Sequence, residues 1–324
     1  MLSAKENYRI AARGGKPERV PVFPEDVNVY MPSVWNHDPL TGRDWLGVRW
    51  INDPQGQMPD ILHPVLQDVT EWPDTLHFPD LSQIDWAAEI AQLQATNYDP
   101  QKIDVALVHT CGPFLLPINL LGWEEGLAAL YEHPREMGAL ITRITDFLVE
   151  LVGYIQEYYH PEIMFTGDDL AAAGGPFISR EIWTEFYKPQ FKRIAAAIHG
   201  AGALAEFHNC GNNQWLIEEF LDCGADICQL PMPNPALEAD KRRFGSRLVI
   251  TGGWDRLSAA AKLGATEAEV RASARTAIDT YGRDGAFIFW DGGIIFSAED
   301  AQQKMAWLYD EVHQYGGRIY QSQP

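Results

Sequence analysis

The sequence predicts an α/β fold, a (β/α)8 barrel with an irregular N-terminal excursion over its mouth. Short β-branched or aromatic runs alternate with longer helical patterns along the chain. Most of these runs are continuously apolar, as strands buried on both faces of a parallel sheet are. Nearly every run ends in polar or small residues, which is where reactive groups gather in parallel α/β folds because the βα loops share one end of the sheet. No GxGxxG follows the first run, which argues against an open doubly wound sheet.

The predicted strands, in order, are Arg19–Glu25, Ile103–Thr110, Ile163–Asp169, Ala203–Cys210, Ala225–Leu230, Arg247–Gly253 and Gly285–Gly293. Between them, Pro134–Tyr159, Ser179–His199, Asn213–Cys223 and Thr266–Tyr281 repeat Leu, Ile, Phe and Trp at three- and four-residue steps and are predicted helices. The segment from Asp26 to Trp86 breaks this rhythm. It is rich in Pro, Asp and Trp, and a structureless loop of that length is unusual in a compact domain, so an ordered excursion covering the barrel mouth is expected. The 324 residues show no repeat beyond the alternation and no linker, and they fit one domain, 1–324.

With 25 Lys+Arg against 45 Asp+Glu the net charge is −20, which disfavours nucleic acid and anionic membrane surfaces as partners. A 46% hydrophobic content excludes disorder as the main state. No run approaches the ~18 apolar residues of a membrane span, and the opening stretch lacks the apolar core of a secretory signal, so a cytoplasmic location is expected. Four cysteines, Cys111, Cys210, Cys223 and Cys228, are too few for a disulfide scaffold. Cys223 and Cys228 read as core. Cys111 belongs to a tight HTCGP turn, where a nucleophilic Cys–His pair is disfavoured because sequence neighbours on a strand diverge in space.

The strongest chemical signal is Glu206-Phe207-His208-Asn209-Cys210-Gly211. Side chains alternate along a strand, so Glu206, His208 and Cys210 share a face. In a barrel that face is the interior. Carboxylate, imidazole and thiol are what zinc accepts, and a catalytic zinc takes three protein ligands. The competing reading makes His208 a satisfied core histidine and Cys210 a small buried apolar residue. Asp291, ending the last predicted strand, is the candidate ligand from across the barrel. Alternatively it is a turn or N-cap residue before a helix opening at Ser297. Asp168 and Asp169 are adjacent on a strand end, so at most one faces the interior. One would accept a hydrogen bond from substrate or orient His208, and the other would cap a loop. Glu206 and Asp169 are the candidate catalytic groups. Glu25, His109, Asp168, Trp254 and Trp290, all near strand ends, are the candidate substrate contacts. The tryptophans Trp35, Trp45, Trp50, Trp72 and Trp86 either face a planar ligand or anchor the excursion.

The opening KENYRIAARGGKPERVPVF, DWLGVRW, GDDLAAAGGPFISREIWTEFYKPQFKRI, the HNCGN turn, ADICQLPMPNP and ITGGWD together resemble the uroporphyrinogen decarboxylase superfamily along essentially the whole chain. The resemblance implies a (β/α)8 barrel. Haem-pathway decarboxylases of this superfamily carry an Arg-rich N-terminal signature and a Gly-His-Gly turn at the last strand. Here Pro-Val-Phe-Pro-Glu-Asp and Trp-Asp-Gly-Gly stand in those places. The other branch, zinc-dependent methyltransferases acting with a corrinoid protein or a thiol, is similar through His-x-Cys-Gly, which maps onto His208, Cys210 and Gly211. In its thiol-methylating members the third ligand is a cysteine at the last strand, where this chain has Asp291. A carboxylate leaves the metal more positive than a thiolate does and favours activating an oxygen. The expectation that follows is O-demethylation of a small methyl ether, as in methoxylated aromatic compounds. The methyl group would pass to a corrinoid carried on a separate partner protein, since no Asp-x-His-x-x-Gly cobalamin motif is present. A thiol methyltransferase, a decarboxylase of a smaller substrate and a non-catalytic binding barrel are the alternatives.

Overall fold

The apolar runs form seven parallel strands: β1 Val27–Tyr30, β2 Ile103–His109, β3 Ile163–Gly167, β4 Leu204–His208, β5 Ile227–Leu230, β6 Val249–Gly253 and β7 Phe287–Trp290. They pair in chain order into one sheet. The structure is a computed structural model and describes residues 2–53, 56–60, 62–96, 98–293 and 300–320. Among these no helix is long and apolar enough to cross a membrane.

Six of the predicted strands are found; the first one is displaced. Pro21 and Pro24 cannot donate to a ladder, so the Arg19–Glu25 run contributes only one bridge, Val22 against Phe289. Phe23 N donates to Phe289 O and Phe289 N donates to Pro21 O, each at 2.9 Å. The chain then turns at Glu25 and Asp26, and Val27–Tyr30, assigned from sequence to the excursion, becomes β1 and pairs with β2. The strip between Pro21 and Tyr30 therefore touches both edges of a sheet that counts seven strands rather than eight among the described residues. The result is a curled, TIM-like sheet.

Arg19 holds this strip. Its guanidinium grips Asp26 through Nη1 and Nη2 at 2.8 and 2.7 Å, and Asp26 Oδ2 also accepts from Val22 N at 2.9 Å. Asp26 is therefore not a free negative charge at the mouth. Glu25 is not placed against a ligand either: it takes a 2.7 Å hydrogen bond from His313 on the helix Ala301–Gly316.

Alternation along the strands builds two cores. Val27, Ile103, Val105, Ile163, Ile227, Val249 and Ile288 point inward and meet Tyr8, Ala11 and Ala12 of the helix Ala4–Ala12. That helix crosses the N-terminal ends of the strands, tied there by Lys5 to Asp104 and Arg9 to Glu162. The opposite residues pack outward against helices: Phe207 meets Phe191 and Phe220, and Cys223 and Cys228 are buried in this layer as expected. The helix predicted over Ser179–His199 contains a π-turn at Trp183–Tyr187 before continuing as Lys188–Gly200. Pro189 lacks the N–H that an α-helix would give to Glu185.

The excursion is ordered by its aromatics. Trp45 stacks on Phe147 of the helix Pro134–Tyr158 with centroids 4.5 Å apart, and Trp86 stacks on Tyr154 of the same helix. Trp86 also opens a helix, Trp86–Thr96, that the sequence pattern did not reveal. The proposed helix start at Ser297 lies outside the described residues.

Asp26→Ala leaves Arg19 Nη2 and the Val22 N–H without their acceptor, and Arg19 Nη1 with only the Val20 carbonyl at 3.3 Å. The expected loss is about 2–4 kcal/mol of unfolding free energy, read by chemical denaturation. The Glu25–His313 pair gives a pH signature. The hydrogen bond between them lowers the Glu25 pKa from 4.5 and raises that of His313 from 6.5. The stabilisation is complete between those two ordinary values. It is lost as pH climbs through the raised imidazole pKa or falls through the lowered carboxyl pKa. His313→Gln should destabilise most inside that window, by about 0.5 kcal/mol because the pair is half exposed, in thermal melts taken across pH.

Candidate metal centre at the strand ends

Strand parity places the site. Within β4, Glu206 and His208 share the inward face, and the ring of His208 lies 5.7 Å from Phe165 of β3 and 6.0 Å from Trp290 of β7. Past the end of β4, Cys210 returns to the same side, with Sγ 3.4 Å from His208 Nε2. Past the end of β3, Asp169 reaches the same point. Its Oδ1 is 3.6 Å from His208 Nε2 and accepts the Cys210 N–H at 2.7 Å. One donor atom from each of Asp169, His208 and Cys210 lies within 4.8 Å of the others, the one such cluster among the described residues.

These separations suit a tetrahedral ion. Metal–ligand bonds of about 2.0–2.3 Å put donor atoms about 3.3–3.8 Å apart, and the Cys–His and His–Asp distances fall in that range. The imidazole is oriented for it: His208 Nδ1 donates to Gln229 Oε1 at 2.8 Å, so Nε2 carries the lone pair. Burial lowers the His208 pKa, opposed by Asp169 and Gln229 and reinforced by Arg256. Burial likewise pushes the Cys210 thiol up to about 12, with Asp169 adding to the effect and Arg256 opposing it. The ring is thus neutral and ready to ligate, whereas the thiol needs a cation beside it to ionise.

Below the cluster, Glu206 is fully buried and its carboxyl is pushed up to about 7 by burial, pulled partly back by Thr251 and Gln229. Thr251 Oγ1 donates to its Oε1 at 2.7 Å. Glu206 Oε2 and Gln229 Nε2 have no partner in hydrogen-bonding geometry. Glu206 is therefore a protonatable group behind the imidazole, separated from it by one amide.

The other sequence candidates have different places. Asp291 is outside the cluster, and the carboxylate that meets His208 and Cys210 is Asp169. On β7, Ile288 and Trp290 face inward, so Asp291 faces outward. There it accepts from Gly293 N at 2.9 Å and bonds the Tyr309 hydroxyl. Asp168, opposite in parity to Asp169, is buried and accepts from Phe114 N and Leu115 N at 2.8 and 2.9 Å, at the start of the helix Leu115–Leu121. This is the loop-capping role expected of one member of the pair, and burial pushes its carboxyl up to about 7. His109 is buried and donates from Nδ1 to Gly167 O at 2.8 Å, with its pKa depressed to about 4 by burial. Both bind protein backbone. Trp254 points outward and donates to Ser273 on the helix Glu267–Tyr281. Of the named substrate contacts, Trp290 stands beside the cluster.

Sequence reasoning passed over two residues. Gln229 is a buried polar side chain inside the otherwise apolar Ile227–Leu230 strand, a signal in itself. Arg256 follows Gly-Gly-Trp-Asp at a strand end, where reactive groups gather.

Replacing Gln229 by Leu removes the acceptor that fixes the ring. Zinc affinity, measured by competition with a chromophoric chelator, should fall roughly 10–100-fold while far-UV circular dichroism is unchanged.

The model of the uroporphyrinogen decarboxylase (URO-D) family matches residues 38–315. Among solved structures, a methyltransferase from Methanosarcina mazei aligns with a TM-score of 0.69 at 12% sequence identity, over 97% of this chain and 99% of that one. At that identity the likeness is one of fold. No curated protein matches the chain. The family match extends over most of the length in which the sequence motifs were found, and with it the chain belongs to the uroporphyrinogen decarboxylase family.

Proposed function

We propose that this protein is a zinc-dependent methyltransferase of the family, taking a methyl group from a small methoxylated substrate and delivering it to a corrinoid held by a separate partner protein. The observation that carries the reading is the convergence of Asp169, His208 and Cys210 on one point at the C-terminal ends of the strands. A structural zinc site is closed by four protein ligands, whereas three from the protein leave a position for substrate. The likeness in fold to a methyltransferase supports the transferase branch.

Asp169, His208 and Cys210 would hold the ion, which when bound supplies Lewis-acid polarisation of the substrate oxygen. The chain's own side chains do the rest. Gln229 keeps the ring of His208 in the ligating tautomer. The side chain of Asp169 is 41% exposed, so it meets the open mouth while that of His208, at 15%, is shielded behind it. Glu206, with its pKa near neutrality, holds a proton behind the imidazole. Trp290 flanks the cluster on one side.

A cleft of about 450 Å³ is lined by Met31, Trp35, Asn36, His37, Trp50 and Thr110. Met31 and Thr110 directly follow β1 and β2, so this cleft opens at the same end of the sheet. His37 and Trp50 are stacked there with centroids 5.2 Å apart. Its flat walls favour a planar ring.

Protein purified without an affinity tag should contain stoichiometric zinc by elemental analysis. His208→Ala and Cys210→Ala should abolish it, Asp169→Asn should weaken it, and Asp291→Ala should leave metal content unchanged. Retention of zinc in the His208 and Cys210 variants would refute the assignment, as would its loss in the Asp291 variant alone. Methyl transfer to added cob(I)alamin, read from its absorption spectrum, tests the reaction.

A further inference from the structure

One cation at the mouth has no part in holding substrate in the transferase reading as it stands. Arg256 lies on the loop after β6 and crosses to the loop after β7, where its Nη1 donates to Gly292 O at 3.1 Å. The backbone there is shaped around it. Gly292 has φ +79°, and a Cβ at that position would come within 3.4 Å of Arg256 Cδ and 3.1 Å of Pro231 Cβ. The guanidinium lies alongside the Cys210 thiol and acts on His208 as well.

Among the described residues it has no counter-ion. Arg9, Arg19, Arg271 and Arg275 each reach a carboxylate within 3 Å. Among the described residues, no carboxylate lies within 4 Å of Arg256. A guanidinium has five donors in a planar fork matched to a carboxylate. One carbonyl and a weakly accepting thiol use only part of that fork. Charge balance points the same way. A divalent zinc held by the carboxylate of Asp169 and the thiolate of Cys210 would be neutral with its ligands, so the cluster would supply no net charge for Arg256 to pair with. In a chain of net charge −20, whose field repels anions, a cation retained at this spot is a local exception.

Resting on the transferase reading, we infer that Arg256 receives a carboxylate of the substrate, so that the methyl donor is an anionic methyl ether rather than a neutral one. The bidentate pair anchors one end of the substrate beside Cys210 and sets its orientation relative to the Asp169–His208–Cys210 cluster, with Trp290 as the adjoining wall. Arg256 is a specificity-determining residue here and takes no part in the methyl transfer itself.

Calorimetric titration of the full chain tests this, zinc-loaded and metal-free, with benzoate as the probe and benzyl alcohol as its neutral counterpart. Wild type should bind benzoate in both metal states. Arg256→Met should weaken benzoate by about tenfold or more, Arg256→Lys should weaken it less, and benzyl alcohol should be indifferent to both. Equal benzoate affinity in wild type and Arg256→Met would overturn the proposal, as would no benzoate binding to wild type. So would a fall in zinc affinity with benzoate unchanged, which would assign Arg256 to the thiol instead. The underlying reading fails separately: Arg256-dependent benzoate binding with no methyl transfer from methoxybenzoate to cob(I)alamin removes the transferase and leaves the anion subsite.

Discussion

The 2.8 Å hydrogen bond from His208 Nδ1 to Gln229 Oε1 leaves Nε2 as the ring's lone-pair donor and turns it toward Cys210 and Asp169. The chemistry of the mouth depends on this constraint. A histidine free to flip would offer either an N–H or a lone pair to the cluster, and only the second can hold a cation. The amide is itself buried between the imidazole and Glu206, so the orientation is fixed from inside the curled sheet.

Burial sets the protonation states around that bond. It keeps His208 neutral, holds the Cys210 thiol up at about 12 and raises Glu206 to about 7. Only the thiol is in the wrong state to ligate, and a divalent cation is the change that corrects it. Arg256 already pulls in that direction, while the side chain of Asp169 is accessible to solvent. A soft, an intermediate and a hard donor thus meet at one point, a set that suits zinc.

Much of this was legible in the sequence because side-chain alternation is a local property. Six strands follow from short continuous apolar runs, and the inward face shared by Glu206 and His208 and the division of labour between Asp168 and Asp169 follow from a period of two. The same rule applied to β7 separates Trp290 from Asp291, but it required knowing which of the two points inward, and the sequence of FWDGG alone does not say. The first strand was misplaced for a related reason. Pro21 and Pro24 interrupt a run that looks like a strand, and the short Val-Asn-Val-Tyr that replaces it is indistinguishable in pattern from the excursion behind it.

By itself, then, the sequence determined the layering of the fold, the end of the sheet that carries reactive groups and the pairing of His208 with Cys210 at the end of one strand, since each depends on residues a few positions apart. Only the tertiary structure decided that Asp169 rather than Asp291 completes the cluster, that Gln229 orients the ring, that Asp26 is neutralised by Arg19 and that Arg256 lies against Cys210. Those contacts join residues from different strands. Their existence depends on how the sheet curls and how each loop returns across its mouth, and no local pattern encodes either.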